Sequence, residues 1–288
     1  MDMLMGGHMA IEESVFYKTV KILADFADWD TTARLNHSLR AWCDYDDSKF
    51  HPYETLLGKT MNIMAGVSSS LAYMRLSILQ IKREELSVDI EKDGLRDYDV
   101  YRYHYIVFSH SIALLQDLLF KLASVIFDLN VTQRMIGWEK LKKELIRNNL
   151  LNIKQLFEDF YNRFSTHISK RNTFSHEGLL AYNTLDNFYM TNVWSVAQNT
   201  SHKSENKHPE YTRGNERNVE LLKETKQEFI DELQNLLSEA EQFATRLCDS
   251  FLDKLLCQID NNFLKNHNHN LKKLNHEPLN QYLRKIGL

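Results

Sequence analysis

Between Leu56 and Ile81 an apolar stripe runs without interruption: Leu56, Thr60, Ile63, Val67, Leu71, Met74, Ile78 and Ile81 follow one another at steps of three and four residues. A strand repeats every second residue, whereas an α-helix returns to the same side every 3.6, so the series predicts one long amphipathic helix. A long one-sided helix has to bury that side, and the natural cover is other helices. Composition points the same way. The chain has only nine Gly and three Pro in 288 residues, which leaves little turn chemistry for strands, while 43% hydrophobic residues suffice for a substantial core. The expected fold class is therefore all-α, a multi-helix bundle with long antiparallel helices.

Further segments fit that frame. Val15, Phe16, Val20, Leu23, Phe26 and Ala27 recur at helical spacing between Glu13 and Trp29, and Asp30-Thr31-Thr32 offers a cap for a shorter segment reaching Trp42. The charged stretch Asp89 to Asp99 contains Gly94 and reads as a loop. Tyr101 to Leu129 is apolar on nearly every side, as expected of the central helix of a bundle. Within it His110, Asp117 and Lys121 are spaced by seven and four residues, one narrow polar stripe that either faces solvent or lines a site.

Trp138 to Arg147 and Ile153 to Ile168 give two more helices, with a new segment starting near Ser169. A polar loop is expected over about 201–215. A long helix over about 217–259 should follow, with Phe229, Leu233, Leu236, Ala240, Phe243, Leu247 and Phe251 as a seam that packs on the rest of the bundle or on a second copy of the chain. The whole of 9–288 reads as a single helical domain. Residues 1–8, ending in Gly6-Gly7-His8, resemble an expression-tag remnant.

Charge and cysteines restrict function. A formal net charge of −4 excludes attraction of nucleic acid by the whole surface, so any RNA contact must come from a local basic site. Cys43, Cys248 and Cys257 are an odd number without zinc spacing, which fits packing residues in a reducing compartment. His267 and His269 are two apart and diverge on a helix, so the Asn- and His-containing stretch 261–275 suggests no metal site. No apolar run is expected to span a membrane and no secretory leader is evident, which together predict a cytoplasmic protein.

The stretch with the most chemistry is Arg171-Asn172-Thr173-Phe174-Ser175-His176-Glu177-Gly178, which the spacing places at the start of a helical segment. A guanidinium binds phosphate in fork geometry, and an imidazole can take or give a proton near neutrality. Asn172 and His176 are four apart and share a helix face; Arg171 and His176 are five apart and differ by about 140°. One helix does not aim both at one phosphate, but two copies around a two-fold axis can. The same residues also serve elsewhere as helix caps, ion-pair partners or solvated side chains.

Arg171 and His176 with four residues between them, in an all-helical setting with a buried central helix, resemble the HEPN superfamily, whose motif is Arg, four to six residues, then His, with a polar residue commonly after the Arg. The resemblance covers about residues 100–182 and leaves the helices of Glu13 to Ile81 and Val219 to Ile259 outside it. It implies a helical core that dimerises with its two motifs facing each other, and catalytic roles for Arg171, Asn172 and His176. His110, Asp117, Lys121 and Glu177 would be supporting polar residues. Arg163 and His167 have one residue too few between them for the motif, so His167 is expected on the helix surface. Some relatives carry a modified tyrosine just after the histidine; here Glu177-Gly178 follow instead, and that form of control is not expected.

The resemblance thus implies a metal-independent endoribonuclease without cofactor, active on RNA as a homodimer, of the kind found in toxin–antitoxin or antiviral defence systems and partnered there by an antitoxin or regulator. The alternative it also implies is a catalytically inactive module that binds a nucleotide, RNA or a partner protein.

Overall fold

The computed structural model describes residues 11–34, 50–83, 97–129, 137–177, 209–274 and 276–288. Nine helices occur among these residues, and no strand: α1 Val15–Arg34, α2 Pro52–Lys82, α3 Asp97–Ile126, α4 Trp138–Arg147, α5 Leu151–Glu177, α6 Pro209–Asp249, α7 Leu252–Gln258, α8 Asn261–Lys273 and α9 Glu277–Lys285. The fold is an all-α multi-helix bundle.

By contacts the chain divides into two compact units, one of 1–70, 114–163 and 241–288, the other of 71–113 and 164–240. In the first unit, α1 buries Phe16, Val20, Leu23 and Ala27, the side the periodicity assigns to the core. A continuous apolar cluster joins Leu23 of α1, Tyr53 and Leu57 of α2, Leu256 of α7, Phe263, Leu264 and Leu271 of α8, and Leu279 and Leu283 of α9. Gly66 of α2 lets another helix come close: a Cβ there would lie 3.1 Å from the Leu118 methyl carbons of α3. A second knot is aromatic, with the Phe157 ring of α5 at 5.2 Å from Phe120, 6.4 Å from Trp138 and 6.5 Å from Phe251. In the other unit the buried residues are Leu71, Met74, Ile78 and Ile81 of α2, Tyr101, Tyr105, Phe108 and Ile112 of α3, Phe164 and Ile168 of α5, and Phe229, Leu233 and Leu236 of α6.

Helix ends follow local chemistry. After α4 the chain turns through Asn149 at φ 57°, while Leu150 N–H reaches the Leu145 carbonyl (2.8 Å) and Asn149 N–H the Ile146 carbonyl (3.0 Å). This is a Schellman closure, and Asn tolerates its left-handed residue better than most. α3 ends alike, with Asp128 at φ 49° and Leu129 N–H on the Ser124 carbonyl.

Several expectations need correction. α1 continues through Asp30-Thr31-Thr32 to Arg34, because helical hydrogen bonding in an already formed helix outweighs the capping preference of those side chains; 35–49 lie outside the described residues. Of the expected polar loop, 201–208 lie outside the described residues and 209–215 are already helical. Pro209 explains the early start, since its fixed φ suits the first helical position, where an N–H would have no partner. The helix expected to reach 259 stops at Asp249: Ser250 Oγ donates to the Leu247 carbonyl (2.6 Å) and Phe251 N–H closes a tighter turn on Cys248 (3.0 Å), after which α7 starts. The stretch 261–275 contains α8, whose N-cap Asp260 accepts the Asn262 N–H.

Most of the expected seam, Phe229, Leu233, Leu236, Ala240, Leu247 and Phe251, is buried within this chain. Val100 to Ile126 of α3, contrary to expectation, is long and apolar enough to cross a membrane by length and composition, and most of it is buried as a core helix. Cys248 is a packing residue, its Sγ 3.9 Å from Met64 Sδ and its thiol pKa pushed up by burial, but Cys257 is exposed.

Candidate functional site

α5 carries the Arg–Asn–His motif, and its register is set by a stripe of buried residues: Ile153, Phe157, Phe160, Phe164 and Ile168. No break occurs near Ser169. The backbone stays helical from Leu151 to Glu177, so residues 171–177 close a 27-residue helix instead of opening a new one. Ser169 and Lys170 carry neither the ring of Pro nor the freedom of Gly, and nothing local stops propagation there. The side chains of Arg171, Asn172, His176 and Glu177, and all of Gly178 to His208, lie outside the described residues. Positions 172 and 176 remain four apart on one continuous helix, and positions 171 and 176 five apart. The C-terminal end of a helix presents carbonyl oxygens and partial negative charge, so the backbone at 174–177 offers phosphate none of the N–H groups a helix start would supply.

The turn before the motif holds a buried polar pair. His167 is 7% exposed, and its Nδ1 lies 3.4 Å from the hydroxyl oxygen of the fully buried Tyr105 on α3. The rings meet edge to face at 6.4 Å, and Phe229 of α6 flanks Tyr105 at 5.9 Å. Burial pushes the Tyr105 phenol pKa upward, and the negative charge of Glu232 pushes it the same way. The phenol therefore holds its proton at neutral pH and can donate it to a neutral imidazole. The expectation that His167 sits on the helix surface is thus wrong. It lies three residues after Phe164 and seven after Phe160, on the core side, and that spacing is the signal by which the sequence could have placed it.

His110, Asp117 and Lys121 lie along one edge of α3, His110 exposed and the other two half-buried. Tyr103 and Leu114 on the same edge are 61% and 43% exposed, which makes this the wet side of the central helix. His267 is buried between the rings of Phe26 (5.1 Å) and Phe263 (4.9 Å), whereas His269 is exposed. Among the described residues no group of three or more His, Cys, Asp or Glu could hold a metal ion. One cavity of about 460 Å³ opens in the first unit, lined among others by Phe127, Asn149, Asn152, Ser250 and Lys254 and by none of the residues singled out from the sequence. Compared with family models, with curated proteins and with solved structures, the chain matches none.

Proposed function

We propose that this chain is a metal-independent endoribonuclease of the HEPN kind that works as a homodimer. The observation that carries the reading is the Arg171, Asn172 and His176 spacing at the exit of a long helix in an all-helical bundle. In the proposed reaction His176 takes the proton of a ribose 2′-hydroxyl, and the 2′-oxygen bonds to the adjacent phosphorus. The bond to the 5′-oxygen breaks, and that oxygen takes up a proton, leaving a cyclic phosphate and a free 5′-hydroxyl. Arg171 neutralises the charge that builds on the phosphate oxygens, and Asn172 orients the imidazole. Five positions of separation on one helix keep Arg171 and His176 apart, which is why a second chain completes the site. A toxin or defence role, with an antitoxin or regulator as partner, belongs to the same proposal.

The test is cleavage of single-stranded RNA by the full chain in EDTA. Arg171→Ala and His176→Ala should each lower the rate by about 100-fold or more while helicity by circular dichroism is unchanged. Cleavage that survives in both variants sinks the proposal. A second reading, an inactive module that uses the same motif to bind a nucleotide, RNA or a protein, is favoured by the net charge of −4. It predicts a ligand-dependent rise in melting temperature without turnover.

A further inference from the structure

α8 buries Phe263, Leu264 and Leu271 in the apolar cluster of the first unit, sets His267 against Phe26 and Phe263, and turns its other side to water. That other side has an unusual composition for this chain. α8 contains three lysines and neither Asp nor Glu, although the chain as a whole carries a net charge of −4. At 100° per residue, Asn262, Lys265, Asn266, His269 and Lys273 fall within about 100° of arc and extend about 16 Å along the axis. All five are exposed. The result is a stripe of ammonium, amide and imidazole groups with no carboxylate on the helix itself, the Asp260 carboxylate at its N-terminal end being engaged by the Asn262 N–H, and the opposite face of the helix is anchored in the core.

Such a stripe complements a polyanion. A lipid surface is a poor match, because an interfacial helix inserts its apolar side and here that side is committed to the core beside Phe26 and Tyr53. Amides and an imidazole between two cations suit a chain that alternates phosphates with hydroxyls and bases: asparagine bonds 2′-hydroxyls and base edges, and an exposed imidazole stacks on an unpaired base. We propose that the solvent face of α8 is an RNA contact surface, with Lys265 and Lys273 on phosphates and Asn266 and His269 on the sugar and base groups between them. It supplies the local basic site that an acidic chain needs, and it rests on the ribonuclease reading for the choice of RNA as the polyanion.

Binding of a fluorescein-labelled single-stranded RNA to the full chain, followed by anisotropy over a range of salt, tests it. His176→Ala in all samples keeps the RNA intact. Adding Lys265→Gln and Lys273→Gln should weaken binding about tenfold near 0.1 M salt and reduce the slope of log affinity on log salt by about 1.4, the value for two phosphate contacts on a single strand. Asn266→Ala with His269→Ala should weaken binding while leaving that slope in place. Affinity within twofold of the parent in the double Gln variant overturns the surface, and so does a parent that binds no RNA. Polyglutamate or phosphatidylserine vesicles binding as tightly through the same lysines overturns the choice of RNA. Cleavage by the otherwise unaltered chain, with unchanged binding in the double Gln variant, defeats the α8 surface and spares the ribonuclease reading; RNA binding through α8 by a chain that never cleaves does the reverse.

Discussion

Asp249, at the last position of α6, should hold the start of α1 through its capacity to accept hydrogen bonds and not through its charge. Its carboxylate accepts the Phe16 N–H at 3.0 Å and also that of Val15, while Ser14 Oγ accepts the Tyr17 N–H at 3.1 Å. Two of the N–H groups that a helix start leaves over are thus satisfied from 233 residues away. Phe16 is fully buried, its ring edge-on to Phe251 at 6.3 Å, so water cannot easily replace the lost acceptor. Asp249→Ala should therefore cost about 1.5 kcal/mol, within the range for lost caps and orphaned N–H groups, and lower the melting midpoint by about 3–6 °C.

Asp249→Asn keeps an acceptor and should cost little. Burial raises the Asp249 pKa above its ordinary 3.8, so the fold favours the protonated form. The sign follows: the contribution is fully present below the unfolded pKa and is lost as pH rises through the folded value. The parent should thus lose stability relative to Asp249→Asn as pH rises from 4 toward 7. Urea unfolding at both pH values measures this, and an Asp249→Asn variant as damaged as Asp249→Ala at pH 7 would refute the argument.

His276 caps α9 by accepting the Leu279 N–H on Nδ1 (3.4 Å) and places Nε2 3.4 Å from Oγ1 of the buried Thr19 on α1. Burial, and then the charge of Lys18, lower its pKa below 6.5, so its contribution is present above 6.5 and lost as pH falls below it. Hydrogen exchange of 277–285, corrected for intrinsic rates, should speed up between pH 7.5 and pH 5.5, and His276→Asn should remove that dependence; an unchanged dependence counts against the cap. Phe157→Ala empties the space between Phe120, Trp138 and Phe251 and should cost about 3–5 kcal/mol in urea unfolding. A loss below about 1 kcal/mol would mean that the cluster repacks. Tyr105→Phe keeps the ring and removes the hydroxyl 3.4 Å from His167, at about 1 kcal/mol. A double-mutant cycle with His167→Ala should show coupling, and its absence would deny the pair.

What the sequence made legible was periodicity. The stripe from Leu56 to Ile81 is one uninterrupted helix, and the all-round apolar character of 101–129 is the mark of a helix buried on most sides. Ends were harder to read, because they depend on one or two local bonds. Asp30-Thr31-Thr32 and Ser169 look like starts, yet each lies inside a helix already held by its apolar side. Pro209 falls inside the stretch read as a polar loop and is the first residue of α6. The motif that His167 nearly completes points it to the surface, whereas the buried Phe160 and Phe164 stripe it shares puts it in the core. Asp249 was invisible for another reason: nothing in a local window relates a carboxylate at 249 to N–H groups at 15 and 16.

The continuity of α5 bears directly on the proposed chemistry. Had a new helix begun near Ser169, its first turn would have offered phosphate free backbone N–H groups beside the motif. Instead both positions belong to one helix anchored by Phe164, His167 and Ile168, and the anchoring side is fixed before the motif begins. Five positions of α-helix then impose a rotation of about 140° between the two positions. The end of the helix also supplies no N–H groups for an anion, so the positive charge at such a site has to come from side chains. On the proposed reading a second copy of α5 supplies the missing group, so oligomeric state is measured alongside cleavage in testing it.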